Sequence, residues 1–140
     1  MSYYKNMKIW QNARQAAIDI HAMTLKHLPK FESIEEGSQI RQSIKAVKTY
    51  IVEGYGRRRN KWEFVQYLTY AAAACDVTID HLENLSENGS LKDSVVAEKL
   101  FENLTVLGKQ IHGFIKSIEK GPKNKSGDKP NRPERETVSS

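Results

Sequence analysis

The 140-residue chain carries 22 Lys/Arg against 17 Asp/Glu, a net charge of +5 and a pI of about 9.3. That length suits one domain with one core, and the single cysteine, Cys75, excludes an intrachain disulfide and fits a reducing compartment. The N-terminal MSYYKNMKIW lacks an apolar core of signal-peptide length and no apolar run approaches the ~20 residues of a membrane span, so a cytoplasmic protein with no membrane role is expected.

The periodicity is helical throughout. In the first segment Ile9, Ala13, Ala16, Ile20 and Met23 recur at three- and four-residue steps, and Pro29 marks the end because proline cannot continue a helix. Ser33-Ile34-Glu35-Glu36 then has capping-box spacing and predicts the start of a second helix. Its stripe is Ile40, Ile44, Val47 and Ile51, stopping at Gly54. The third stripe is Phe64, Leu68, Ala71, Cys75, Thr78/Ile79, Leu82 and Leu85, closed by Asn88-Gly89 as a C-cap. Ala71-Ala72-Ala73-Ala74 puts small side chains around its middle, where backbones can approach closely. The fourth is Leu100, Leu104, Leu107, Ile111, Phe114/Ile115 and Ile118, closed by Gly121-Pro122. Four amphipathic helices joined by short turns run antiparallel to their neighbours. The expected fold is therefore all-α, an up-down-up-down four-helix bundle over 1–120. Helices of ~26 residues would make it ~40 Å long. Residues 121–140 have one apolar side chain, Val138, and predict a disordered tail. That tail region is basic: Lys120 to Ser140 hold six Lys/Arg against three acids, so +3 of the +5 sits there and the body carries only +2.

The stretch EGYGRRRNKWEF, Glu53 to Phe64, is the densest local cluster of charge and glycine. Gly54-Tyr55-Gly56 begins like a phosphate-cradling G-x-G-x-x-G, but Arg59 stands at the third glycine position and no strand precedes it. A helix corner accounts for much of it. Gly54 and Gly56 would allow positive φ where the chain reverses. Asn60 would cap the next helix, with Glu63 completing a box. Glu53 and Glu63 flank the arginines, so one arginine is expected to clamp the corner. Two arginines and Lys61 are left without an obvious local partner, and cations at a helix N-terminus oppose the dipole unless an acid or anion is present. A basic contact surface is thus a second reading of the same residues.

Tyr50, Trp62, Tyr67 and Tyr70 lie wholly or partly off the core stripes, and Tyr3, Tyr4 and Trp10 open the first helix. Large rings outside a core predict an interface. Self-association is favoured over base stacking because the rings follow helix faces. Catalysis has little support. His21, His27, His81 and His112 sit on three helices, and the chain has no Glu-x-x-His, H-E-x-x-H or C-x-x-C. His81 with Asp76 and Asp80 reads as a solvated polar face with a capping or salt-bridge role. Cys75, among alanines, reads as a buried inert thiol. No enzyme activity, cofactor or metal is expected.

Met7-Lys8-Ile9-Trp10-Gln11 with Ala13 resembles the opening of the four-helix-bundle proteins encoded in intervening sequences of bacterial large-subunit ribosomal RNA genes. Leu28-Pro29, Glu36-Gly37, Gln39-Ile40-Arg41, Ile51-Val52-Glu53-Gly54, Gly56-Arg57 and Glu63-Phe64 fall in that family's order and approximate spacing. The match covers about residues 5–120. The retroelement accessory variability proteins are similar in fold. The resemblance implies a homopentamer without established enzyme activity. In the retroelement relatives the pentamer is a basic barrel that binds nucleic acid and partners a reverse transcriptase. This chain departs from the pattern at Gln42, Tyr50 and around Val77-Thr78.

The expected function is a non-enzymatic pentameric scaffold that binds RNA or DNA. Arg57, Arg58, Arg59 and Lys61 would meet phosphates, with Arg41, Lys45 and Lys48 as additions on the second helix. Trp10, Tyr50, Trp62, Tyr67 and Tyr70 would form the subunit interface. The alternative is a protein-interaction module in which the aromatic faces bind a partner and the arginines only clamp the corner.

Overall fold

The computed structural model describes residues 3–121. A short 3-10 turn, Tyr3–Asn6, leads into α1, Lys8–Lys26. A single helical turn, α2, Lys30–Ile34, precedes α3, Glu36–Gly56. The long helices α4, Lys61–Glu87, and α5, Ser94–Glu119, complete the chain, and no strand occurs among the described residues. The expected disordered tail lies, beyond Gly121, outside the described residues.

The four long helices pack in a closed ring: α1 on α3, α3 on α4, α4 on α5, and α5 back on α1. Neither diagonal pair, α1 with α4 or α3 with α5, brings Cα atoms within 8 Å among the described residues. The four apolar stripes form the core. Ile9, Ala13, Ala16, Ile20 and Met23 of α1 are buried, as are Ile40, Ile44, Val47 and Ile51 of α3. So are Phe64, Leu68, Ala71, Cys75, Thr78, Leu82 and Leu85 of α4, and Leu100, Leu104, Leu107, Ile111 and Ile115 of α5. Each fully buried Leu or Ile contributes about 1.5–3 kcal/mol relative to exposure.

The helix ends explain the turns. Asn60 caps α4, its side chain accepting from Trp62 N and Glu63 N at 3.1 and 3.2 Å. The expected return bond from Glu63 is not made, because Asn60 N donates to Arg57 O (2.9 Å) instead. Asp93 caps α5 in the same way, accepting from Val95 N and Val96 N. After α4, Gly89 turns the chain at φ +83°, and Leu91 N reaches back to Leu85 O at 2.9 Å.

Three local expectations are corrected. Ser33 does not cap α3; it lies within α2, whose single turn is too short to show a stripe. The carboxylate of Glu32 takes over the end, accepting from Glu36 N (3.4 Å), Asn88 Nδ2 (3.0 Å) and Ser90 Oγ (2.7 Å). This ties α2 to the α4–α5 turn. His81 takes the expected salt-bridge role, but toward α3 rather than beside Asp76 and Asp80: its Nδ1 lies 2.6 Å from Glu36 Oε2, which also accepts from Asn84 Nδ2 at 3.3 Å. Gly54 and Gly56 do not adopt positive φ, because α3 runs on through both to Gly56. Gly54 serves close approach instead. A Cβ there would lie 3.2 Å from Tyr67 Cβ and 3.4 Å from Phe64 Cδ1, whereas one at Gly56 would meet nothing within 4 Å.

Cys75 is buried on the core stripe, with Sγ 3.4 Å from Leu104 O. Burial, reinforced by the Asp76 carboxylate, pushes its thiol up to about 11. The folded chain therefore keeps the thiol neutral below that range.

Two measurements check these placements. Ala gains helix propensity at either glycine but meets α4 only at position 54, so Gly54→Ala is expected to be about 1–2 kcal/mol less stable than Gly56→Ala in urea unfolding. Equal midpoints would show that α3 and α4 have room to part. Near pH ~8 a thiol reagent is expected to modify Cys75 roughly a hundredfold more slowly in the folded chain than in guanidinium, from thiolate fraction alone.

Candidate nucleic-acid interface

The α3–α4 corner is more fully employed than its sequence implies. Arg57 places Nη1 3.4 Å from Glu63 Oε1, both side chains being nearly half exposed, and sets its Cζ 4.7 Å above the Tyr67 ring. This is the expected clamp. Arg58 donates to Tyr55 O at 2.9 Å and lies 4.0 Å over the Tyr55 ring. Lys61 reaches the neighbouring helix end, its Nζ donating to Glu119 O (3.2 Å) and Gly121 O (3.0 Å). A cation at the N-terminus of α4 is thus a cation at the C-terminus of α5, where the dipole favours it. Arg59 is exposed and has no polar partner among the described residues. At the corner it is the cation most open to an external anion.

The residues Arg41, Lys45 and Lys48 form a separate site. Arg41 lies about 24 Å along α3 from Arg57, by 1.5 Å per residue. With Ile44, these three face Arg14, Ala17, Ile18 and His21 of α1 across an open groove of about 430 Å³. Every ionisable side chain lining the groove is basic. Arg41 is committed in part, its Nη1 donating to Thr24 Oγ1 (2.8 Å) and Ser33 O (3.1 Å). Those bonds hold the C-terminal end of α1 against α3. Lys48 sits at the other end, Nζ 5.9 Å from the Trp10 ring centroid. The side chains of Arg14, His21 and Lys45 have no hydrogen-bond or ion-pair partner among the described residues. The arginine and lysine heads gathered along the seam repel one another, so an anion between them is favoured.

Sequence reasoning named the α3 half of this groove and missed Arg14 and His21. The signal was present. On α1, positions 14, 18 and 21 flank the core stripe at the spacing with which 41, 45 and 48 flank it on α3. Two antiparallel helices in contact bring such flanking rows together.

The five aromatic residues expected at an interface do not form one face. Tyr50, Tyr67 and Tyr70 make a trio across α3 and α4 with centroids 5.4 to 6.5 Å apart, Tyr70 edge-to-face with both others and Tyr50 tilted against Tyr67. Tyr70 remains 41% exposed, and its OH accepts from Gln66 Nε2 at 2.9 Å. Trp10 packs against Tyr4 at 5.5 Å, on the groove side of the bundle. Trp62 lies at the corner with the Lys61 ammonium 5.6 Å from its ring centroid.

Among the described residues no group of three His, Cys, Asp or Glu side chains is placed to hold a metal ion. No described helix is long and apolar enough to cross a membrane.

None of the curated proteins matches the chain. The family model described as 23S rRNA-intervening sequence protein matches residues 5–113, which include α1 to α4, the groove and the corner. On that match, spanning most of its length, the chain belongs to the 23S rRNA-intervening sequence protein family.

Proposed function

We propose that this chain is a non-enzymatic scaffold that binds nucleic acid through its basic surface and works as a homopentamer. The observation that carries the reading is the α1–α3 groove: five basic side chains line it, without an acid among them. The Arg14 and Lys45 side chains are exposed and have no polar partner within the described chain, so their charge is available to phosphates. Arg59 adds a further open cation at the corner. Pentameric assembly follows the resemblance to the retroelement accessory proteins. It answers the modest charge of a single body, because five copies concentrate five grooves on one particle. A reverse transcriptase is the protein partner that the same resemblance suggests, with the cytoplasm as the site of action. The Tyr50, Tyr67 and Tyr70 trio, partly exposed, supports the second reading of a protein-interaction module, in which the same surface seats a subunit or another protein.

The test is a salt titration of binding to a structured RNA and to a DNA duplex, with particle mass from light scattering in the same buffer. A pentamer whose affinity falls steeply with salt, by about 0.7–0.9 in log–log slope per phosphate contact, supports the scaffold. Absence of binding at low salt leaves the protein-interaction reading. Arg57, Arg58 and Arg59 changed together to Ser are expected to weaken binding to structured nucleic acid while helical circular dichroism is retained. An unfolded triple variant would assign these arginines to holding the corner alone.

A further inference from the structure

Resting on that reading, we infer that the α1–α3 groove takes single-stranded nucleic acid, with phosphates on its rims and bases on its floor. The groove has two chemically distinct parts. Arg14 rises from α1, and Lys45 and Lys48 from α3, as cationic rims. Between them lie Ala17, Ile18 and Ile44. Ile44 is buried, but Ile18 is 47% exposed, so the floor presents apolar surface that the bundle does not cover.

A single strand matches this pairing of surfaces. Its phosphates alternate with unstacked bases whose faces are apolar, and those faces settle on apolar, aromatic or guanidinium planes. A duplex offers the groove only a convex row of phosphates, its bases being turned inward. It would meet the rims and leave Ile18 uncovered. Packed helix axes are about 8–10 Å apart, so the seam between them admits a strand rather than a double helix. Arg41 lies toward the C-terminal end of α1, already bonded to Thr24 and Ser33, and is a fixed positive side chain there. His21 stands on α1 at the same end.

The experiment uses the full chain and a short unstructured oligouridylate, followed by fluorescence anisotropy, beside a hairpin duplex of the same length. Two groove variants are compared with the corner variant in which Arg57, Arg58 and Arg59 become Ser. Arg14 and Lys45 are exposed and lack polar partners among the described residues, so R14E/K45E should keep its melting temperature. It is expected to bind the single strand at least roughly tenfold more weakly, with the salt slope reduced by about 1.4. Ile18→Ser leaves every charge in place and is expected to weaken single-strand binding about fivefold through the floor alone. The corner variant should lose less single-strand affinity than R14E/K45E, because its cations lie outside the groove. Duplex affinity equal to single-strand affinity, or an Ile18→Ser variant that binds as the parent does, overturns the inference. Loss confined to the corner variant also overturns it, while leaving nucleic-acid binding intact. No binding of either probe at low salt overturns the inference and the nucleic-acid reading together.

Discussion

Each long helix has one apolar stripe, and burying all four stripes in one core fixes how far every helix is rotated about its own axis. That rotation is the constraint from which the surface follows. With Ile40, Ile44, Val47 and Ile51 turned inward, Arg41, Lys45 and Lys48 are carried to the seam beside α1. With Ile9, Ala13, Ala16 and Ile20 turned inward, Arg14, Ile18 and His21 meet them there. The groove needs no special loop or strained backbone. It is the flank of two stripes, held at one end by Arg41 bonding across to Thr24.

The corner and the groove divide the basic residues by employment. A corner between long helices has two ends to satisfy, the last carbonyls of one helix and the first amides of the next. Here the neighbouring α5 also ends, and Lys61 serves it across the bundle. Arg57 and Arg58 each lie over a tyrosine ring, so their planar heads are committed to packing as well as to hydrogen bonds. What looks in the chain like one block of positive charge becomes three fixed side chains and one open one. In the groove most are open instead, the side chains of Arg14, His21 and Lys45 lacking polar partners among the described residues.

The four core stripes were readable in the chain because burial imposes a period of 3.6 that no other demand disturbs. The Asn60 cap and the Gly89 turn were readable because their partners lie within a few residues. What was not readable has its partner far away. Glu32 meets Asn88 and Ser90, 56 and 58 positions on, and His81 meets Glu36, 45 positions back. No local spacing announces such pairs, so Ser33 looked like a cap and His81 like a neighbour of Asp80. The glycines of Gly54-Tyr55-Gly56 misled for a related reason. A glycine that makes room for another helix has the same sequence signature as one that turns the chain, and only the position of Tyr67 distinguishes them.

The burial of Cys75 among the alanines of α4 has a consequence for how the molecule can be observed. Its only native thiol is silent, so a cysteine placed on the surface becomes the sole reactive one without any change to the core. A single probe on the groove rim would then report occupancy of that groove. In an assembly it would appear once per subunit, so that the spacing between probes measures the symmetry of the particle and the direction in which its grooves face.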